Sequence, residues 1–501
     1  MRDLLIGVDG GTGGIRAFVF DAQGTVLGSA SVPYETAYPQ NGWAEQQPQD
    51  WWEATCRGVR QAMEQAAVPA ERVAALCGAT TSCTVLACTG DGRALAPAIL
   101  WMDVRAAEQR DAIQRRTGQD LNAEHFPCKC LWMKEHTPEI YQRADVLCEY
   151  QDYWNYRLTG KWCFSVNTAC NWGYDKRRGD FAREFYRTAG LEDALSKLPT
   201  LAVSAGEGIG PLTQEAAQAL GLDQEVLVVQ GGIDSSIGML GMGVAQPGAI
   251  ALMTGSSNLA MAVTPEPYFG AADAVNLGPD FLLEGYYTSV RGQVSTGSIL
   301  RWFQREFCRD MGKDALAQLD KLAAEVPCGS NGLMVLDYWQ GNRVPHEDAN
   351  IRGLIYGLSM NTGREMIFRA VMEAVAYGTE DLLQAFREKG NPVERVCISG
   401  GTTRSDLFLQ IHADVSGVPF EVTSDYSVAL GGAICAGKGA GIFATLEEGA
   451  DRMVHFQKTV QPDLGNHRIY QTLQQRYRAL YPALSAWRED GTDNLQVGAN
   501  P

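Results

Sequence analysis

A chain of 501 residues, 45% of them hydrophobic, has apolar side chains enough for large buried cores and length enough for two or three domains. Its 42 basic residues against 59 acidic ones leave a net charge of -17, which argues against a nucleic-acid footprint or a polybasic membrane patch and for a small, soluble partner. An anionic ligand on so acidic a protein would need local neutralisation by a metal ion or a few basic groups. The opening MRDLLIGVDGG runs out of apolar residues too early for a signal peptide, and no apolar run nears the ~20 residues that span a bilayer, so a cytoplasmic protein is expected. The 13 cysteines are scattered, many in apolar stretches, as small buried hydrophobes in a reducing compartment are. Cys128 and Cys130 lack a second Cys/His pair nearby, so zinc is not expected.

Residues 4–33 read as three β-runs joined by two Gly-containing turns, a meander. In the first turn Gly10, Gly11, Gly13 and Gly14 free the backbone to curl its N–H groups toward an anion, with the Thr12 hydroxyl beside them. Asp9 precedes this turn and could hold Mg²⁺ through water. An ordinary hairpin turn is the competing reading. No G-K-[ST] follows the glycines and a strand comes next, so neither a Walker A loop nor a Rossmann fingerprint fits. Pro48 to Ala67 is an amphipathic helix. Val73 to Cys88 reads as strand, polar turn Thr80–Thr84, strand; its hydroxyls suit a sugar, or simply a surface turn. Leu100 to Arg116 opens with Trp101-Met-Asp-Val-Arg and is expected to continue as a helix.

Val226–Val229 predicts a buried strand, Gly231-Gly232 a tight turn, and Ser235–Met242 a helix. Asp234 between them is placed either to take a proton from a hydroxyl or to cap the helix. Ala249–Val263 repeats the strand–turn–strand design around Thr254-Gly255-Ser256-Ser257, which suggests two similar domains facing across a cleft. Gly292-Gln293-Val294-Ser295-Thr296-Gly297 leads into a helix, and Arg364 to Lys389 is a long one. Val393–Ile398 is a strand ending in Ser399-Gly400-Gly401-Thr402-Thr403-Arg404-Ser405, whose bare backbone before a helix N-terminus offers a seat for ribose and adenine. Ala429–Ala440 is a small-residue helix expected to pack under that seat. His467 to Arg488 is a terminal helix, and 489–501 is expected to fray.

Taken in order, D-G-G-T-G-G-I-R at 9–16, G-W-A-E-Q at 42–46, W-M-D-V-R at 101–105, K-C-L-W-M-K-E at 129–135, G-G-I-D at 231–234, M-T-G-S-S at 253–257, R-G-L-I-Y-G-L at 352–358 and S-G-G-T-T-R-S-D-L-F at 399–408 resemble the FGGY carbohydrate kinases. The resemblance implies an α/β fold of two actin/ribonuclease-H-like domains, each a mixed sheet flanked by helices with a cleft between them. The expected divisions are 1–247, 248–460, and a C-terminal helix and tail at 461–501. It implies an ATP-dependent sugar kinase in which Asp234 is the base, Asp9 supports Mg²⁺, and Thr12-Gly13 and Thr254-Gly255 hold the transferring phosphates. Gly297, Gly400, Gly401 and Ser405 line up with nucleotide contacts. Cys83, Thr84, Trp101, Asp234 and Gln293 are the expected sugar contacts. Cys83-Thr84 stands where glycerol kinases carry Arg-Glu, whereas Thr81–Thr84, Gly292–Ser295 and D-Y-W-Q-G-N-R at 337–343 look most like ribulokinases.

Val290-Arg291 replaces the Glu that ribulokinases have before Gly-Gln, Met366 replaces a His or Gln, and Ser405 an Asn. The expected acceptor is a ribulose-type pentulose, with xylulose, a sugar alcohol or an autoinducer-type sugar as alternatives. A non-catalytic actin-like ATPase and a sugar-binding regulator are the rival classes. Neither nucleic acid nor membrane is an expected partner, and a homodimer is an open expectation.

Overall fold

The computed structural model describes residues 2–267 and 279–488, and the expectation for 489–501 lies outside them. The chain forms two compact units, one of Met1–Gln246, Val263–Ser289 and Tyr426–His455, the other of Pro247–Ala262, Val290–Asp425 and Phe456–Pro501. They are therefore not the contiguous divisions 1–247 and 248–460, because a segment late in the chain belongs to the first unit.

The first unit is built on a six-stranded sheet of β1 (Leu4–Gly11), β2 (Gly14–Phe20), β3 (Val26–Pro33), β4 (Val73–Thr80), β5 (Gly208–Pro211) and β6 (Leu227–Val229), in the order β5-β6-β4-β1-β2-β3. The meander is antiparallel, with Asp9 opposite Arg16, while β4 runs parallel to both β1 and β6. Leu4, Ile6 and Val8 on one face of β1 are buried in a core with Ile15, Val19 and Leu76, and Leu5 on the other face is buried too, so β1 is covered on both faces. Helix α1 (Pro48–Ala66) buries Trp51, Val59 and Met63 against β2 and β3. Helix α2 (Phe126–His136) belongs to a second core of the same unit, with Leu147, Phe164 and Trp172.

A second sheet, mostly in the other unit, repeats the topology with β7 (Ala249–Thr254), β8 (Asn258–Thr264), β9 (Tyr287–Gln293), β10 (Arg395–Gly400), β11 (Phe420–Val422) and β12 (Lys458–Val460), ordered β12-β11-β10-β7-β8-β9. In both sheets the hairpin strand of each turn lies beside a parallel strand from much later in the chain, the mixed α/β arrangement the sequence implied.

Helix α3 (Asp234–Gly241) follows β6, and the second unit contributes α4 (Gly297–Phe307), α5 (Arg364–Glu388) and α6 (Asp406–Ser416). Helix α7 (Ser427–Gly439), expected beneath the nucleotide seat, instead packs in the first unit on β1, β4 and α3. Its small residues allow backbone contact there: a Cβ at Gly7 would lie 1.8 Å from the Ala429 carbonyl oxygen, and one at Gly431 would lie 1.9 Å from that of Ile237. The terminal helix α8 (Leu464–Trp487) packs on α5 and α6. Among the described residues no helix is long and apolar enough to cross a membrane.

Candidate active site

Asp234 is the first residue of α3, with Ile233 in the N-cap position. Its Oδ1 accepts a hydrogen bond from the adjacent Ser235 N–H at 2.6 Å, whereas a capping side chain accepts from an N–H two or three residues on. The local backbone is fixed from outside. Gly232 O accepts from Thr80 N at 3.1 Å, and Asn167 Oδ1 accepts from Ile233 N at 2.8 Å. Burial raises the Asp234 carboxyl, the charge of Asp9 raises it further, and the Ser235 N–H and Arg16 pull it back only in part, leaving it at about 7. Asp9, 3% exposed at the end of β1, is also raised by burial, against the pull of Arg16, whose guanidinium donates to Asp9 Oδ2.

Thr12 sits between two supports. Trp101 Nε1 donates to its hydroxyl at 3.0 Å, and Gln46 Nε2 donates to its carbonyl at 2.7 Å. Gly13 beside it is exposed. Residues 101–106 are not helical as expected, since the helix there spans Ala107–Thr117. Asp103 turns the chain instead, accepting from Ala44 N at 2.6 Å and from Arg105 N at 2.9 Å. Arg105 pairs with Glu45 at 2.8 Å and lies 3.7 Å over the Trp43 ring, so G-W-A-E-Q and W-M-D-V-R form one locked strap. These supporting roles of Gln46, Asp103 and Arg105 were visible in sequence only as motif letters.

In the turn after β4, Thr81 and Thr84 share a hydroxyl hydrogen bond at 3.0 Å, and Cys83 adopts a left-handed φ of 56°. Thr84 and Cys83 are buried, and burial pushes the Cys83 thiol up, away from reactivity. Thr80 Oγ1, Asn167 Nδ2 and Asn171 Oδ1 are buried here without a partner among the described residues, while Asn171 Nδ2 donates to Ser82 Oγ at 2.7 Å. Orphaned polar atoms of this kind suit a hydroxylated ligand. Nothing in local spacing singled out Asn167 or Asn171, because their role depends on contacts with residues 82 and 233.

The second unit holds a cavity of about 1090 Å³ lined by Gly255, Gly297, Gly401 and Ser405, as expected for a seat, and by Leu300, Phe368 and Met372, which the sequence reading missed. The apolar spacing of the helices expected at Ile299–Arg309 and Arg364–Lys389 was the available signal. Gly400 takes a φ of 122°, and its bare Cα lets the backbone pass close to Thr254 O, which a Cβ would approach to 1.9 Å.

Three of the expected contact residues already have partners within the unit. The Thr254 hydroxyl is used within the unit, donating to Ser399 O at 3.0 Å and accepting from Thr402 at 2.6 Å. Ser405 Oγ caps α6 and donates to Asp320. Gln293 is fully engaged: its Nε2 donates to Asp337 and Val375 O, and its Oε1 accepts from Asn258 and Thr379, which fills every hydrogen-bonding position of the amide.

Residues 4–241 match the N-terminal domain, and residues 250–440 the C-terminal domain, of the FGGY family of carbohydrate kinases. The chain belongs to that family. A ribulokinase of Shouchella clausii is 29% identical over 556 residues, covering 99% of this chain and 98% of the relative. A xylulose kinase of Staphylococcus epidermidis is 27% identical over 488 residues, covering 96% and 97%. The crystal structure of a xylulose kinase from Rhodospirillum rubrum superimposes with a TM-score of 0.85 at 26% identity, covering 97% of this chain and 99% of that one. This FGGY chain is an ATP-dependent sugar kinase.

Proposed function

We propose that this kinase transfers the γ-phosphate of ATP to a hydroxyl of a ribulose-type pentulose, with Asp234 as the general base. The observation that carries the reading is the setting of Asp234. Its carboxylate opens a helix, receives only the Ser235 N–H among the described residues, and stands in the unit that also gathers the hydroxyl-bearing turn and the orphaned Thr80, Asn167 and Asn171 atoms. A carboxyl held near 7 is ionised often enough to accept a proton and basic enough to want one. Phosphoryl transfer passes through a loose transition state, so Asp234 orients the hydroxyl and takes its proton late.

Thr12 and Gly13 are assigned to the transferring phosphate, with Trp101 and Gln46 fixing Thr12. Adenine and ribose are assigned to the second unit's cavity, whose apolar wall of Leu300, Phe368 and Met372 suits a flat base. Gly255, Gly297 and Gly401 supply close backbone approach, and Arg301, Lys313, Lys321 and Arg404 outnumber the carboxylates Asp314, Asp320 and Asp406 of the same lining. Asp9 fits a hard cation held through water: it is an oxygen donor near a second carboxylate, and no hydrogen bond reaches its Oδ1 among the described residues. Mg²⁺ would there neutralise phosphate charge.

The pentulose assignment rests on Thr81–Thr84 and on the named activities of the relatives. Asp337 of the D-Y-W-Q-G-N-R loop, bonded to Gln293 and Tyr477, is core and no longer supports it. Coupled-enzyme ADP release across a panel of ketoses and polyols tests the reading. D-Ribulose or a close pentulose is expected to give the highest kcat/KM, and ADP release indifferent to any sugar would overturn it.

A further inference from the structure

Lys129 is fully buried in α2, and its Nζ donates to two backbone carbonyls, Cys83 O and Leu100 O, each at 2.6 Å. Those carbonyls belong to the Thr81–Thr84 turn assigned to the sugar and to the residue before Trp101, an expected sugar contact whose indole also supports Thr12. Burying an amine that pairs with no carboxylate among the described residues is costly, and a core that needed only filling would be served by an apolar side chain. The other side of Cys83 is held as firmly. Its N–H donates to Glu149 Oε2 at 2.8 Å, and Glu149 is itself fixed by Trp172 Nε1 at 2.7 Å. Both peptide groups of a residue at φ 56° are thus clamped by buried ionisable side chains from separate elements, in a conformation that a residue with a Cβ resists.

We propose that Lys129, with Glu149 opposite it, is a positioning residue that sets the distance and tilt between the Thr81–Thr84 turn and Trp101, and so decides which ketose fits. The inference rests on the sugar-kinase reading above. Lys129 touches no substrate atom; it acts through the two carbonyls. Without it the turn can relax from its left-handed residue and drift from the indole, while the nucleotide cavity lies in the other unit and shares none of these bonds.

The test is steady-state kinetics of the full-length Lys129→Met protein with D-ribulose, D-xylulose and ATP each varied. The ketose KM should rise about tenfold, the loss of one well-placed buried polar group, with the ATP KM within about twofold and discrimination between the two ketoses narrowed. Unchanged ketose KM and discrimination would overturn the proposal, and so would an equal rise in both KM values, which marks a general structural defect. If Lys129→Met does not fold, Glu149→Gln loosens Cys83 from its other side and is held to the same split. A wild-type protein that phosphorylates no ketose would instead bring down the pentulose reading, and this proposal with it.

Discussion

Asp234 combines a functional demand with a stability cost, and the two separate in one conservative substitution. Its carboxyl is raised from the usual value near 4 to about 7 by burial and by Asp9. A raised acid favours the protonated folded form, so its contribution to stability is present at low pH and is lost as pH rises through about 7. Asp234→Asn should therefore melt no lower than the wild type at pH 6 and higher at pH 8. The same change removes the proton acceptor, so kcat should fall by about 10²–10⁴-fold, and the rise of wild-type kcat/KM through pH 7 should vanish. Near-normal kcat on a stable Asp234→Asn protein would remove Asp234 as the base. Gln293 makes the opposite forecast. With all four hydrogen-bonding positions spent on neighbours, Gln293→Ala should cost about 1–3 kcal/mol of stability in denaturant titration and leave the ketose KM nearly unchanged. A raised KM without loss of stability would restore it to the sugar site.

The hairpins, the helices and the order of the motifs could be read from the chain because their signals are local: alternation, glycine turns and amphipathic spacing. Asp9, Thr12, Trp101 and Asp234 fall in one unit, as the motif order implied. What escaped the sequence were partnerships across long separations. Lys129 reaches back 46 residues to Cys83, Asp103 reaches 59 to Ala44, and Asn258 reaches 121 to Thr379; no local pattern encodes such reach. Helix α7 was misplaced for the same reason, since small residues announce close packing without naming the partner. Its contact with β1 makes a direct forecast. Gly7→Ala puts a methyl group against the Ala429 carbonyl, so α7 must shift, and stability should drop by about 1–3 kcal/mol in urea titration. Unaltered stability would mean that α7 is not seated on β1 as described.

The connectivity of the first unit bears on how the chain can be divided. Residues 1–246 contain all six strands of one sheet, the acid Asp234, the Thr12 turn and the strap of 42–46 and 101–105, and by motif content they resemble a self-sufficient domain. Yet α7 comes from Tyr426–His455, some 180 residues further on by the numbering, and it covers β1, β4 and α3 by close backbone contact. Removing it would bare Gly7, Gly241 and the neighbouring apolar strand faces, a contiguous patch of the kind that drives aggregation or partial folding. A fragment of residues 1–246 should therefore be poorly soluble or bind a hydrophobic dye with a broad, non-cooperative melt, while the full chain melts sharply. Supplying 426–455 in the same polypeptide, joined to 246 through a flexible linker, should recover cooperative melting because the missing layer then has a high effective concentration. If 1–246 alone melts as cooperatively as the linked version, α7 contributes little to this unit. The contiguous division at residue 247 would then describe how the protein folds, whatever its compact units in the native state.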